Sequence, residues 1–283
     1  MKKSYGQHFL HDANIIKKIV DAVEVLPDEL LIEVGPGSGA LTNQLCTLPL
    51  QRGSKEGVEI RSGLVLIEAD RDLLPSLHTT FPSAQLIHAD AARVDYDAIT
   101  NDRSWVFVSN LPYNAGNAIL EKVLTSKNPP RQLVIMVQKE VGERMTAQPG
   151  DMSVLSVATQ IYCAVERLFI VKPGAFTPPP KVDSMVLRLT VKREPSPIYG
   201  GVGGGCSRDG DRERIIALAK LGFTHRRKQL RQTLAQAKVA SLAAIDRALE
   251  EIGHQKTVRP QELSTNDWEK LHSRLGDEHN SVR

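Results

Sequence analysis

The chain has 283 residues, of which 41% are hydrophobic and 24% are charged, and its formal net charge at pH 7 is +3. This composition excludes a disordered or fibrous protein and provides enough chain for one large domain and a smaller one. No apolar run approaches the roughly 20 residues that span a bilayer. Three widely separated cysteines without a C-x-x-C pair indicate a reducing compartment and argue against a structural zinc site.

The N-terminal segment carries basic residues but lacks the apolar run of a signal peptide, so we expect a cytoplasmic protein with no membrane partner. It contains Gln7-His8-Phe9-Leu10 and leads into a helical pattern that Asp12 is placed to cap. His8 and His11 are three residues apart, but no cluster of carboxylates or cysteines completes a metal site, so we expect no metal.

A glycine-rich turn follows the first predicted strand. The apolar run 30–34 leads directly into Gly35-Pro36-Gly37-Ser38-Gly39 and then into a helix from Ala40. Glycines let the backbone turn sharply and let a ligand approach closely. The spacing matches neither the dinucleotide fingerprint nor a phosphate-binding P-loop, so a structural turn and a cofactor loop are equal alternatives at this point.

Polar residues stand where later predicted strands end. Glu68 closes one apolar run, and a carboxylate at the end of a second strand can accept both hydroxyls of a ribose. Asp90 follows the next run and can accept a hydrogen bond from an adenine amine, although each acid alone also fits a surface or capping role. Strands that alternate with helices predict a mainly parallel, doubly wound sheet, whose edge collects these two acids with Gly35 and Asn110. Strands are predicted at 64–68, 85–88, 105–108 and 133–137.

The tetrapeptide Asn110-Leu111-Pro112-Tyr113 follows one of these strands. The Asn110 side-chain oxygen and a carbonyl next to proline are hydrogen-bond acceptors, and Tyr113 adds an aromatic face. Two acceptors beside an aromatic face suit the exocyclic amine of a flat ring such as adenine or cytosine. Phe176, in a loop stiffened by three consecutive prolines, is predicted as a second aromatic wall. A plain turn and core packing of the aromatics are the competing interpretations.

Charge and glycine content divide the chain into two parts. Residues 1–205 carry 21 basic and 22 acidic residues, whereas residues 206–283 carry 15 and 11. The stretch 193–210, rich in proline and glycine, predicts a linker between an α/β domain at 1–192 and a helical domain at 211–283. Within the second domain, amphipathic patterns predict helices at 212–237 and 242–252 and a last short helix through Trp268 and Leu271.

A basic stretch at 223–231 contains four cations and no acid. Such a stretch can neutralise backbone phosphates and give salt-dependent affinity for nucleic acid. A solvated helix face is an equal alternative. The four cations are Arg226, Arg227, Lys228 and Arg231.

Taken together and in order, these motifs resemble those of the KsgA/RsmA ribosomal RNA adenine dimethyltransferases, which are relatives of the Erm resistance methylases. The resemblance covers nearly the whole chain. The sequence departs from the family pattern at Ala115-Gly116-Asn117, in a polar insertion at 49–63 and in the glycine-rich linker. The matching motifs are Gln7–Leu10, Glu33–Gly39, Glu68–Asp70, Asp90–Ala91, Asn110–Asn114, Gln138–Glu140, Phe176–Ser184 and Arg226–Arg231.

The resemblance implies a Rossmann-like, S-adenosylmethionine-dependent methyltransferase sheet with a small α-helical C-terminal domain. The implied reaction is dimethylation at N6 of two adjacent adenines near the 3′ end of small-subunit (16S) ribosomal RNA. The implied partner is that RNA in pre-30S particles, with the target base turned out into the pocket and the enzyme acting as a monomer. The residues implied to contact the cofactor are His8, Leu10, Gly35, Glu68, Asp90 and Asn110.

The resemblance also implies roles on the substrate side. The Asn110 oxygen and the Pro112 carbonyl would accept the two N6 protons, and this would stabilise positive charge that develops on the amine. Tyr113 and Phe176 would stack on the base. No carboxylate is expected to act as a general base. RNA would contact Arg226, Arg227, Lys228 and Arg231.

Three other functions stay open on the sequence. An Erm-type enzyme would methylate large-subunit RNA, although the motif at 226–231 and Asn-Leu-Pro-Tyr favour the small subunit. A ribosome-assembly factor that acts mainly by binding would keep the pocket without depending on catalysis. A small-molecule or DNA methyltransferase is disfavoured by the basic helical tail.

Overall fold

The computed structural model describes residues 8–48, 63–192 and 208–280. The predicted insertion, apart from Gly63, and most of the predicted linker lie outside these ranges. Within them, no helix is both long and apolar enough to cross a membrane. The same residues contain no group of three or more His, Cys, Asp or Glu side chains placed to hold a metal ion.

The described residues form two compact units. The first contains those up to Gly142 together with Ala164–Val191, and the second contains Glu143–Cys163 and those from Lys192 onward. This division differs from the predicted domains in the segment 143–163, which groups with the helical unit. In the sequence, this segment lies between two strands of the sheet. The order of elements along the chain therefore assigned it to the sheet domain.

The first unit is built on strands whose bounds largely follow the apolar runs. The strands are β1 (Phe9–Leu10), β2 (Leu30–Val34), β3 (Leu64–Glu68), β4 (Gln85–His88), β5 (Trp105–Asn110), β6 (Gln132–Gln138), β7 (Cys163–Val171), β8 (Phe176–Thr177) and β9 (Ser184–Val191). The predicted bounds of β2, β3 and β4 are confirmed, and β5 and β6 extend by one or two residues beyond theirs.

The strands form a seven-stranded sheet among the described residues, in the order β4-β3-β2-β5-β6-β9-β7. Strands β2 to β6 pair in parallel, and β9 runs antiparallel to β6. The mainly parallel, doubly wound sheet is therefore confirmed, with an antiparallel addition at one side. Strands β1 and β8 form a separate antiparallel pair in which Leu10 lies opposite Phe176.

Helices alternate with the parallel strands, as the sequence predicts. Asp12 caps α1, since its side chain accepts hydrogen bonds from the amides of Asn14 and Ile15. The helices are α1 (Ala13–Asp21), α2 (Ala40–Leu45), α3 (Leu74–Thr80), α4 (Tyr96–Thr100), α5 (Gly116–Leu124) and α6 (Lys139–Met145).

One apolar core lies between the central strands and helices α1, α2 and α3. Leu31, Leu66 and Val108 all belong to it, from β2, β3 and β5 respectively. Because side chains alternate between the two faces of a strand, the residue two positions beyond each of them shares this face at the carboxyl edge. Those three residues are Glu33, Glu68 and Asn110.

A buried ion pair lies at the opposite edge of the sheet. The Arg131 guanidinium donates to both carboxylate oxygens of Glu29, over 2.9 and 3.0 Å, and Glu29 also accepts from the Ser104 hydroxyl. Burial raises the pKa of Glu29, but hydrogen bonds from Arg131 and two further donors outweigh it and hold that pKa below the ordinary value of 4.5. The stabilisation is therefore present above that value and is lost as the pH falls through the lowered pKa.

We expect Arg131→Met to lower the free energy of unfolding by about 3 kcal/mol, because a buried carboxylate loses its partner. Urea unfolding at pH 7 measures the change. The control is Lys17→Met, which breaks a pair with Asp21 whose side chains are 71% and 57% exposed. The control should cost less than about 1 kcal/mol. Similar small losses in both variants would contradict a structural role for the buried pair.

The second unit is helical. The single helix predicted at 212–237 is wrong, because a 3₁₀ turn at Phe223–His225 separates two helices. A Cβ on Gly222 would lie 2.5 Å from the Trp268 ring, so this glycine permits close packing where the first helix ends. Leu218 and Leu230, on either side of the break, are both buried. The apolar pattern in the sequence therefore continues across the break and does not reveal it. The helices are α7 (Val154–Tyr162), α8 (Arg208–Gly222), α9 (Leu230–Gln236), α10 (Leu242–Glu251) and α11 (Thr265–Asn280), the last of which is longer than predicted.

Candidate functional site

A cavity of about 630 Å³ lies in the first unit, at the carboxyl edge of the sheet. Its walls come from β1, from the glycine-rich turn after β2 and from the ends of β3, β4 and β5. The structure therefore brings together most of the residues that the sequence placed at this edge, whereas their roles stay predictions. Those that line the cavity are His8, Leu10, Gly35, Glu68, Asp90, Asn110, Pro112 and Tyr113.

The turn after β2 depends on its glycines. Gly37 and Gly39 have φ angles of +59° and +81°, in the left-handed region that favours glycine. A Cβ would lie 3.0 Å from the Phe9 ring on Gly37 and 2.6 Å from the Phe81 ring on Gly39. Side chains are therefore excluded by both conformation and packing, and bare backbone forms this wall of the cavity.

Glu68 organises the turn. It is 5% exposed, and its Oε2 accepts from the Gly37 amide over 3.1 Å while its Oε1 accepts from the Asp70 amide over 2.8 Å. A carboxylate offers about four lone-pair sites, so each oxygen retains capacity for a further donor. Asp90 is in a more open position, half exposed, and accepts from the Ala92 amide over 3.0 Å.

A second buried carboxylate, Glu33, also lines the cavity and was not singled out from the sequence. It is 2% exposed, and its Oε2 makes no hydrogen bond among the described residues. Burial raises the pKa of Glu33 to about 8, opposed by the Thr42 hydroxyl and reinforced by the negative charge of Glu68. The sequence feature that could have identified Glu33 is its position as a charged residue in an otherwise apolar strand, just before the glycine-rich turn.

The Asn110 side chain is held by the N-terminal segment. Its Nδ2 donates to the backbone carbonyl oxygen of His8 over 3.2 Å. Because the amide nitrogen is committed to this bond, Oδ1 is the acceptor that Asn110 offers to a ligand. No hydrogen bond within the described residues ends on that oxygen.

The prediction that the Pro112 carbonyl is an open acceptor is wrong. It accepts from the amides of Ala115 and Gly116, over 3.2 and 2.8 Å, and these bonds begin α5. Both of its lone pairs are therefore in use. No hydrogen bond formed by the described residues ends on the carbonyl oxygen of Leu111, which also lines the cavity. Of these two carbonyl groups, only that of Leu111 is therefore left without a donor among the described residues.

Tyr113 presents an aromatic face at the cavity. Its ring lies 5.6 Å from the His8 ring at an interplanar angle of 36°, and its hydroxyl is 2.9 Å from the Ser184 hydroxyl. The His8 ring in turn donates from Nδ1 to the Pro178 carbonyl oxygen over 2.8 Å, since a carbonyl can only accept. Burial raises the pKa of Tyr113, so its hydroxyl is neutral at pH 7. These contacts fix the ring from both ends.

Phe176 does not form the predicted second aromatic wall. It is 3% exposed, belongs to the apolar core and does not line the cavity. Pairing of β8 with β1 places it opposite Leu10 and turns its side chain inward. Core packing, the competing interpretation from sequence, describes its position in this structure.

The basic stretch lies in the second unit, between the 3₁₀ turn and α9. Arg226, Arg227 and Lys228 are exposed. Arg231 instead donates to both carboxylate oxygens of Asp246, over 2.9 and 3.2 Å, and its side chain is 27% exposed. Arg231 therefore connects α9 to α10, whereas a contact between Arg231 and RNA stays a prediction.

Comparisons with known proteins show similarity over most of the chain. A family model described as ribosomal RNA adenine dimethylase matches residues 1–199. The chain is 33% identical over 282 residues to ribosomal RNA small subunit methyltransferase A of Marinobacter nauticus, covering 98% of this chain and 92% of that protein. It is 42% identical over 239 residues to the protein of the same name from Xanthomonas campestris pv. campestris, covering 83% of each chain.

Two solved structures share the fold. The 23S rRNA methyltransferase ErmE is 25% identical with a TM-score of 0.71, over 95% of this chain and 99% of that one. A dimethyladenosine transferase from Plasmodium falciparum is 21% identical with a TM-score of 0.74, over 96% and 98%. The methyltransferase fold with a helical C-terminal region, expected from the sequence, is confirmed. With the family model matching well over half of its length, the chain belongs to the ribosomal RNA adenine dimethylase family.

Proposed function

We propose that this protein transfers methyl groups from S-adenosylmethionine to N6 of adenines in small-subunit ribosomal RNA. The observation that carries the proposal is the Asn110 amide, whose nitrogen is committed to His8 and whose oxygen is an open acceptor at the cavity. The donor that such an oxygen suits is an exocyclic amine. The choice of adenine as the target base rests on the family description. The choice of small-subunit RNA as the substrate rests on the names of the two bacterial relatives.

The residues of the cavity fit S-adenosylmethionine, which when bound supplies an electrophilic methyl group. Glu68 would hold the ribose hydroxyls with the acceptor capacity that its two backbone partners leave open. Asp90 would accept from the adenine amine of the cofactor. The bare backbone of the turn that begins at Gly35 would lie against the methionine part, and His8 and Leu10 would border the cofactor from β1.

On the acceptor side, the Asn110 oxygen and the Leu111 carbonyl would accept the two N6 protons of the target adenine. The lone pair on N6 is delocalised into the ring, which makes the amine a poor nucleophile. Two acceptors favour a geometry with more lone-pair character and stabilise the positive charge that develops on nitrogen. Tyr113 would stack on the base, which contributes about 1–3 kcal/mol. The product nitrogen then loses its proton to solvent.

The exposed cations of the second unit would bind the RNA backbone. Arg226, Arg227 and Lys228 are consecutive and exposed, and no acid interrupts them. Contacts of this kind position the enzyme on its substrate without reading sequence. Base selection would then lie in the cavity of the first unit.

We expect a triple change to glutamine at these three positions to weaken binding to small subunits more than tenfold at low salt. Each lost phosphate contact should reduce the slope of log Kd against log salt by roughly 0.7–0.9. Filter binding across a salt series measures both quantities. The control converts three exposed lysines of the first unit, Lys17, Lys122 and Lys127, to glutamine. An equal change of slope in the control would contradict a specific role for the basic stretch.

The proposed function is tested by methyl transfer from labelled S-adenosylmethionine to undermethylated small subunits, with the modified bases mapped by mass spectrometry. We expect dimethyladenosine at two adjacent adenines near the 3′ end of the small-subunit RNA. Label confined to large-subunit RNA would replace the proposal with an Erm-type activity, which the fold likeness to ErmE makes the necessary comparison.

We also propose that the substrate is a pre-30S particle and that the enzyme acts on it as a monomer in the cytoplasm. Light scattering of the enzyme with and without assembly intermediates tests the stoichiometry. A role mainly through binding predicts that Asn110→Ala rescues every assembly defect of a deletion strain. Catalysis predicts that the variant leaves the dimethyladenosines and the defects that depend on them unrestored.

A further inference from the structure

Glu33 occupies the middle of the proposed site, although none of the steps above uses it. In the strand order β3-β2-β5, it lies between the strands that carry Glu68 and Asn110. The register pairs Glu33 with Leu66 on one side and with Val108 on the other. Glu68 and Asn110 therefore stand two residues further along the neighbouring strands, on the same face, with each Cα about 8 Å from that of Glu33.

The surroundings of Glu33 leave one of its carboxylate oxygens without a hydrogen-bond donor. Its side chain is 2% exposed, lines the cavity and has an oxygen without any hydrogen-bond donor among the described residues. Glu68 differs, because backbone amides donate to both of its oxygens. A buried carboxyl group with an unpartnered oxygen is costly as an anion, so burial favours the protonated form.

The proposed cofactor carries a cation, and the strand order would bring that cation close to Glu33. Its sulfonium sulfur joins the ribose, which Glu68 would hold, to the methyl group that is transferred beside Asn110. A group that joined those two ends would lie near Glu33, since β2 lies between β3 and β5. An opposite charge within about 4–6 Å of a carboxyl group favours its ionised form, so a sulfonium at that distance would stabilise the Glu33 anion.

We propose that Glu33 is a proton-linked counter-ion for the sulfonium, protonated in the absence of cofactor and ionised when S-adenosylmethionine is bound. This rests on the proposed function. The proton leaves to solvent when the cofactor binds. Methyl transfer converts the sulfonium to a neutral thioether, and Glu33 then takes a proton back from solvent. The site thereby distinguishes the methyl donor from its product, S-adenosylhomocysteine.

The expected pH dependence follows from the groups around Glu33. Burial raises the pKa of Glu33 to about 8, and a nearby cation lowers a carboxyl pKa by about 1–3. Affinity for S-adenosylmethionine should therefore rise on the order of tenfold between about pH 6.5 and 8.5, while affinity for S-adenosylhomocysteine stays nearly constant. The charge of Glu68 acts on Glu33 directly. The other titratable side chains that line the cavity are His8, His88, Asp90 and Tyr113.

Calorimetric titration of the full chain in two buffers of different ionisation enthalpy tests this inference. At pH 7.5 the wild type should release about 0.5–0.8 proton per S-adenosylmethionine and close to none per S-adenosylhomocysteine. Glu33→Gln should release close to none with either ligand, and its affinity should not depend on pH in this range. Infrared difference spectra of the wild type should show loss of a carboxylic-acid band with the donor alone, which needs no variant.

Binding of S-adenosylmethionine without proton release would overturn this inference and leave the proposed function standing. Equal release with both ligands, or equal release by Glu33→Gln and the wild type, would also overturn it. No binding of S-adenosylmethionine at all would overturn the proposed function and this inference together.

Discussion

Replacing Asn110 with alanine should reduce kcat for methyl transfer by about 10²–10³, while affinity for small subunits changes little. The side-chain oxygen would stabilise charge that develops on the amine, and removing one preorganised partner of that kind costs about 2.7–4 kcal/mol of transition-state stabilisation. RNA affinity should persist because the exposed cations of the second unit are untouched. Single-turnover transfer from labelled cofactor, with filter binding of the same preparations, measures the two effects separately.

The matched control is Asn117→Ala, which removes an exposed amide from α5 outside the cavity and should leave kcat unchanged. Asn110→Ala loses one hydrogen bond to His8, so its unfolding free energy should fall by only about 1 kcal/mol. A variant that folds and retains kcat within a few-fold of wild type would exclude the amide oxygen as the group that orients the amine.

Glu68→Ala should weaken binding of S-adenosylmethionine by about 100-fold or more. Hydrogen bonds to a charged group contribute about 1.5–3 kcal/mol each, and two ribose hydroxyls would lose theirs. The Gly37 amide also loses its acceptor, so the turn that forms one cavity wall is released. Because Glu68 would not touch the transferred methyl group, kcat at saturating cofactor should stay near that of the wild type.

Calorimetry with cofactor and steady-state kinetics at several cofactor concentrations separate these two quantities. Glu68→Gln retains one acceptor oxygen and the side-chain volume, so its loss of affinity should be smaller than that of alanine. Glu121→Ala, which removes an exposed carboxylate on α5, is the control for a change of charge alone. A fall in kcat with unchanged cofactor affinity would assign Glu68 to the chemical step and contradict its place on the ribose side.

The sequence by itself determined the sheet and the composition of its carboxyl edge. The runs 30–34, 64–68 and 85–88 are strands with the predicted bounds, because each is a short run with consecutive apolar residues, flanked by polar or glycine-rich residues. The apolar pattern of a strand can be recognised from the strand's own residues. The carboxyl ends of parallel strands meet at one edge of the sheet, so residues that follow the strands are expected there. The glycine-rich turn, Glu68, Asp90 and Asn110 could therefore be assigned to one site from the sequence alone.

Only the tertiary structure decided which of the predicted side chains and carbonyl groups already have partners. The Pro112 carbonyl accepts from two amides that begin α5, and Arg231, in the second unit, pairs with Asp246 of another helix. Phe176 faced inward because β8 pairs with β1, far away in sequence. Glu33 became a candidate site residue only in the fold, because the neighbouring strands bury it and one of its oxygens has no partner among the described residues. Each outcome depends on partners beyond the reach of local pattern, so residue type and spacing could locate the site but could not assign its hydrogen bonds.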